Sequence, residues 1–278
     1  MRRTLGPRLV PFSFTVAVLG SVLVACSHHP ASTGPTPVTP TLPTSGRPTT
    51  GGGGHNLYHG VKLPASAFKR NTWGFIGCSN THDTIWGYHN APGTADLFWP
   101  YLPQYRIEGQ VILDWADPNS QDWHLFDLMK QRYNHGSDPP VVWVQLCENL
   151  SLTQRSTYGI ATVSDVRAEL TNLKAHAPTS VVFVSPLQSY SPPTLCALMG
   201  AGGKGVDDLK KLADEAVKQG LAKPGPGADS VPNLGPLTQQ TAFRDGCHPT
   251  GDPHHGPGPG AVFLGQQLAT FFDHIPKA

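Results

Sequence analysis

Two short runs, residues 141–146 (VVWVQL) and 181–185 (VVFVS), are built almost wholly from β-branched and other apolar side chains, and stretches with helical spacing lie between and around them. A strand that reads as a continuous apolar run is buried on both faces, which requires helices on both sides of its sheet. Residues 72–77 (TWGFIG) form a third run, ending in a glycine suited to a tight turn. Residues 110–113 are expected to add another strand. The spacing predicts a helix over 121–133, with Trp123, Phe126, Leu128 and Met129 at roughly helical intervals. A second is predicted over 163–177, capped by Ser164 and stopping before Pro178, and a third, strongly amphipathic, over 207–219 with Gly220 as its stop. The last covers about 261–275, with Leu264, Leu268, Phe271 and Phe272 on one side. Strands alternating with helices predict an α/β domain with a parallel central sheet, and in such sheets sites form at the carboxyl ends of the strands.

That pattern begins only at about residue 57. Residues 1–25 read as a lipoprotein signal peptide: Arg2, Arg3 and Arg8 precede a mostly apolar stretch that is short for a membrane span and ends in small residues. The ending Leu23-Val24-Ala25-Cys26 resembles a bacterial lipobox, in which Cys26 would be lipidated and would hold an exported protein to the outer face of the cell membrane. Since each buried methylene contributes about 0.8 kcal/mol, several acyl chains make a stable anchor. Residues 26–56 hold six prolines and a Gly51–Gly54 run, a composition that buries no apolar surface and acts as a tether spanning on the order of 30–80 Å. Residues 57–278 remain as one domain of ordinary size. Basic and acidic side chains nearly balance, 20 against 19, and no basic stripe marks a nucleic-acid partner.

Two places in the domain carry chemistry. In Gly77-Cys78-Ser79-Asn80, a serine just past a strand end and at a helix start can present its hydroxyl at the sheet edge, while a backbone N–H faces a developing oxyanion. In Asp245-Gly246-Cys247-His248-Pro249, a carboxylate three residues before a histidine can fix the imidazole tautomer, freeing the other ring nitrogen to deprotonate a hydroxyl. Each has a bland reading, a helix-capping serine and a polar surface loop.

Taken together, an early G-x-S after the first strand and a late D-x-x-H-P before the last helix resemble the pattern of the SGNH (GDSL-like) hydrolases. The resemblance runs from about Thr72 to the C-terminus. It implies a flavodoxin-like α/β/α three-layer sandwich and a triad of Ser79, Asp245 and His248 that needs no cofactor. It also implies an oxyanion hole made by the Ser79 N–H, the Asn149 side chain and Gly109. Cys147-Glu148-Asn149-Leu150 departs from the family's G-x-N-D at two positions, and Cys78 replaces the aspartate of G-D-S. The implied activity is serine ester hydrolysis on acyl esters of an envelope carbohydrate or lipid, by a monomer. The alternatives are an acyltransferase using the same triad and a non-catalytic lipoprotein that binds glycan through its aromatics.

Other features carry less. Residues 200–205 (GAGGKG) break the phosphate-loop pattern. Cys247, His248, Asp252, His254 and His255 have zinc-binding chemistry without zinc-site spacing, so no metal is expected. Trp86, Tyr88, Trp99, Tyr101, Trp115 and Trp123 suit either sugar stacking or core packing, with packing the commoner use. With Cys26 assigned to lipid, Cys78, Cys147, Cys196 and Cys247 are left for an oxidising compartment, with three possible connectivities. Cys196 and Cys247, both on loops after later strands, are expected to pair, and Cys78 with Cys147 to pair beside the site.

Overall fold

The computed structural model describes residues 57–100, 111–148, 160–200, 204–252 and 256–278. The apolar runs become parallel strands β1 (Gly74–Ile76), β2 (Val141–Gln145) and β3 (Val181–Ser185). A short strand β4 (Tyr190–Ser191) follows, and β5 (Lys223–Pro224) completes a four-stranded parallel sheet in the order β1-β2-β3-β5. Every residue of β1 and β2 is buried, as strands covered on both faces must be. Strand β4 pairs in parallel with β6 (Leu237–Thr238) beside this sheet.

Order reverses at β1. The Trp73 backbone donates to Leu97 and accepts from Trp99, a parallel bridge to Phe98 on the edge of β1 away from β2. Chain segments that follow β1 therefore lie on both of its sides, as in flavodoxin-like folds, and the crevice at the carboxyl end of β1 is the topological switch point.

The helices are α1 (Ser79–Asn90), α2 (Ile112–Ala116), α3 (Gln121–Asn134), α4 (Val163–His176), α5 (Lys204–Lys218) and α6 (Pro259–Phe272). Helix α1 packs on α6, while α4 packs on α2 and α5, giving a three-layer α/β/α arrangement. The α1–α6 crossing is backbone to backbone. A Cβ on Gly87 would meet the Ala261 carbonyl oxygen at 1.8 Å, and one on Gly265 would meet the Tyr88 nitrogen at 2.1 Å. Leu264, Leu268, Phe271 and Phe272 are all buried.

Three sequence expectations change. The stretch 110–113 is not a strand over its described part, because Ile112 opens α2. The Asp114 carboxylate accepts from the Val111 N–H at 2.9 Å, and Ile112 and Trp115, three apart, turn to the same buried side. Helix α4 is capped by Thr162 rather than Ser164, since Thr162 and Asp165 satisfy each other's N–H groups. Leu128 is exposed, because Trp123, Phe126 and Met129 recur every three residues and leave it on the opposite side of α3. Among the described residues no helix is long and apolar enough to cross a membrane. Cys26 and the tether lie outside the described residues.

Candidate active site

Ser79 is the first residue of α1, placed there by the tight exit from β1. Gly77 has φ +154°, and a Cβ on it would meet Thr81 Oγ1 at 2.1 Å and the Gln145 carbonyl oxygen at 2.9 Å, so only glycine fits. Cys78 caps the helix and is disulfide-bonded to Cys147, just past β2. The turn at the end of β1 is thereby held to the end of β2. Trp115 Nε1 donates to the Gly77 carbonyl at 3.2 Å and closes the turn from the other side.

The second loop comes from the far end of the chain. Gly246 sits at φ +73°, and a Cβ on it would meet the Leu195 carbonyl oxygen at 2.1 Å. This left-handed glycine lets the chain double back so that Asp245 faces the ring of His248. Cys247, between Gly246 and His248, is bonded to Cys196, the pairing expected from sequence. Phe243 N–H donates to the His248 carbonyl at 2.7 Å and pins the loop on itself.

These two loops bring Ser79, His248 and Asp245 into one line. Ser79 Oγ is 2.8 Å from His248 Nε2, and His248 Nδ1 is 2.5 Å from Asp245 Oδ2. A carboxylate can only accept, so Nδ1 carries the ring proton and Nε2 accepts from the Ser79 hydroxyl. Asp245 Oδ1 also accepts from the Cys247 and His248 N–H groups at 3.0 and 3.2 Å. Partial burial opposes the Asp245 charge, but the bond from the His248 ring and the two from backbone amides outweigh it and hold its carboxyl below the ordinary carboxylate range.

A buried chain of side chains that sequence reasoning missed joins the two loops beneath the site. It runs from the Cys78 N–H through Thr81, Gln145, Gln188 and Tyr190 to the Cys247 carbonyl, with Asn80 as a branch on Gln188. All five side chains are buried, and burial raises the Tyr190 hydroxyl well above its usual range, so it stays a donor. One signal was available: Gln145 and Gln188 each interrupt or closely follow an apolar strand, where an amide must find partners.

Ser79, Asn80, Glu148, Tyr190 and His248 open on a cavity of about 150 Å³ whose apolar wall includes Val111, Leu187, Leu198 and Met199. Asn149 and Gly109, expected in the oxyanion hole, lie outside the described residues. The zinc alternative loses a ligand, since Cys247 is a disulfide sulfur rather than a thiolate. Tyr88, Trp99, Trp115 and Trp123 are buried in the core, which removes them as sugar platforms. No family model, curated protein or solved structure matches the chain.

Proposed function

We propose that this protein is a serine ester hydrolase that transfers an acyl group to Ser79 and then to water. The observation that carries the reading is the aligned Ser79–His248–Asp245 array on the wall of a cavity, at the switch point of a parallel sheet. The order of the three residues and the G-x-S and D-x-x-H-P spacing, which resemble SGNH hydrolases, support it further. Ser79 Oγ attacks the ester carbonyl carbon while its proton passes to His248 Nε2. The resulting imidazolium is stabilised by Asp245 and returns the proton to the leaving alcohol oxygen as the C–O bond breaks. Water repeats the sequence on the acyl-enzyme and restores Ser79. The N-terminal segment and two disulfides fit an exported protein held at the cell envelope through Cys26, where acyl esters of carbohydrate or lipid would be its substrates.

The test is turnover of p-nitrophenyl esters together with labelling by a serine-directed phosphonate. Ser79→Ala and His248→Ala should each remove most activity, the double variant should lose little more, and label should appear once, at Ser79. Wild-type protein that hydrolyses no ester and takes no label would refute the reading. Loss of activity on chelation, with Ser79→Ala unaffected, would refute the mechanism.

A further inference from the structure

Asn80 follows Ser79 in α1, is only 6% exposed and lines the same cavity. Its amide has an accepting and a donating end, and the buried chain decides which one faces the cavity. The chain begins at the Cys78 N–H, which can only donate, and ends at the Cys247 carbonyl, which can only accept. Thr81 Oγ1 accepts from Cys78 at 3.0 Å and so turns its own proton to Gln145 Oε1, 2.8 Å away. Gln145 Nε2 then donates to Gln188 Oε1 at 3.3 Å. Gln188 Nε2 in turn donates to Asn80 Oδ1 at 2.6 Å and to Tyr190 Oη at 3.0 Å. Tyr190 is left to donate to the Cys247 carbonyl at 2.9 Å.

The reverse sense would send the one Tyr190 proton to Gln188. Two bare acceptors would then face each other at 2.9 Å, a buried arrangement that costs about 1–3 kcal/mol per unsatisfied group. The polarity of the chain is therefore fixed at both ends. Asn80 Oδ1 is committed inward to Gln188, and Nδ2 is the end left for the cavity. Among the described residues nothing accepts from Nδ2, nor from the backbone N–H groups of Ser79 and Asn80, the first two of the twelve-residue α1.

We infer that the side-chain amide of Asn80 donates to the substrate's acyl oxygen, beside the first N–H groups of α1. The inference rests on the ester-hydrolase reading and names a source of charge stabilisation for it. As the bond from Ser79 Oγ to the carbonyl carbon forms, the C=O π pair moves onto that oxygen, and the serine proton goes to His248. The oxygen then carries a negative charge at a helix N-terminus, where backbone dipoles favour it.

Asn80→Asp tests this, because it keeps the acceptor that Gln188 uses and replaces the donor by a carboxylate oxygen that would repel the oxyanion. We expect its kcat on p-nitrophenyl acetate to fall about 10²-fold or more, at least the usual loss for one oxyanion donor, with KM close to wild type and a lower Tm at neutral pH, where burial opposes the new charge. Asn80→Ala should lose a similar factor in kcat and melt lower as well, having lost both ends. In wild-type protein bearing a phosphonate on Ser79, the phosphoryl oxygen should lie about 3 Å from Asn80 Nδ2. Wild-type kcat in Asn80→Asp, or an adduct oxygen turned away from Nδ2, overturns the role of Asn80 while leaving an active, labelled enzyme. A wild-type protein without turnover or label fails at the earlier step and takes this inference with it.

Discussion

Replacing both Cys196 and Cys247 by serine separates what the second disulfide does for stability from what it does for the site. The bond closes 51 residues of chain. The loss of loop entropy in the unfolded chain for that separation corresponds to about 4 kcal/mol at room temperature. In a domain of this size each kcal/mol moves Tm by roughly 2–4 °C, so the double variant should melt about 8–16 °C lower. The Cys78–Cys147 bond closes 69 residues. Because the dependence is logarithmic, its removal should cost nearly the same, within about 0.5 kcal/mol. The two double variants should differ in kinetics, measured well below either Tm. Cys247 sits between the glycine that turns the Asp245 loop and His248, so its release should lower kcat with the histidine no longer held against Ser79. Thermal melts and p-nitrophenyl acetate kinetics on the same samples make the comparison. A Cys196→Ser/Cys247→Ser protein that melts within about 2 °C of wild type and keeps its kcat would show that the loop is held by other means.

Gly246→Ala puts a methyl group into the Leu195 carbonyl and a side chain at φ +73°; we expect strain of about 1–3 kcal/mol or more and a loss of activity larger than the loss of secondary structure, read by kinetics and circular dichroism. Burial pushes the Glu169 carboxyl well above its usual range, because it disfavours the charged form, so stability is lost as pH rises from the unfolded value toward the higher folded one. Glu169→Gln should therefore raise Tm relative to wild type more as pH rises than in acid; an unchanged difference across pH would count against the raised carboxyl. Asp245 has the opposite sign. Its depressed carboxyl adds stability that is complete above the ordinary carboxylate range and is lost as pH falls through the folded value, so urea midpoints of wild type and Asp245→Asn should converge in acid. Parallel midpoint curves would contradict that.

The pattern that dictated the sheet was legible because fully buried parallel strands have so few permitted residues. Val181–Ser185 appears as β3 with the bounds its apolar run suggested, and VVWVQL yields β2. Residues 110–113 misled because a few apolar residues in a row suit a buried helix turn as well as a strand, and the capping bond from Val111 to Asp114 decides between them. The three aligned side chains were legible as two local motifs, each with its own glycine. Asn80 and the Gln145–Gln188–Tyr190 chain were not, since what unites them is depth in the fold and the direction of their protons, and neither is written in local sequence.

The bond between Ser79 and His248 spans 169 residues, and α1, which Ser79 opens, meets α6, which follows His248, through glycines at near backbone contact. During synthesis Ser79 is therefore an ordinary alcohol, without the His248 ring beside it, until the segment carrying His248 and α6 has been made and has docked. A chain truncated before Pro259 should keep β1, β2 and β3 in its sequence yet lack the wall against which the Ser79 turn is braced. On the function proposed above, the reactivity of Ser79 would appear only once α6 has docked against α1.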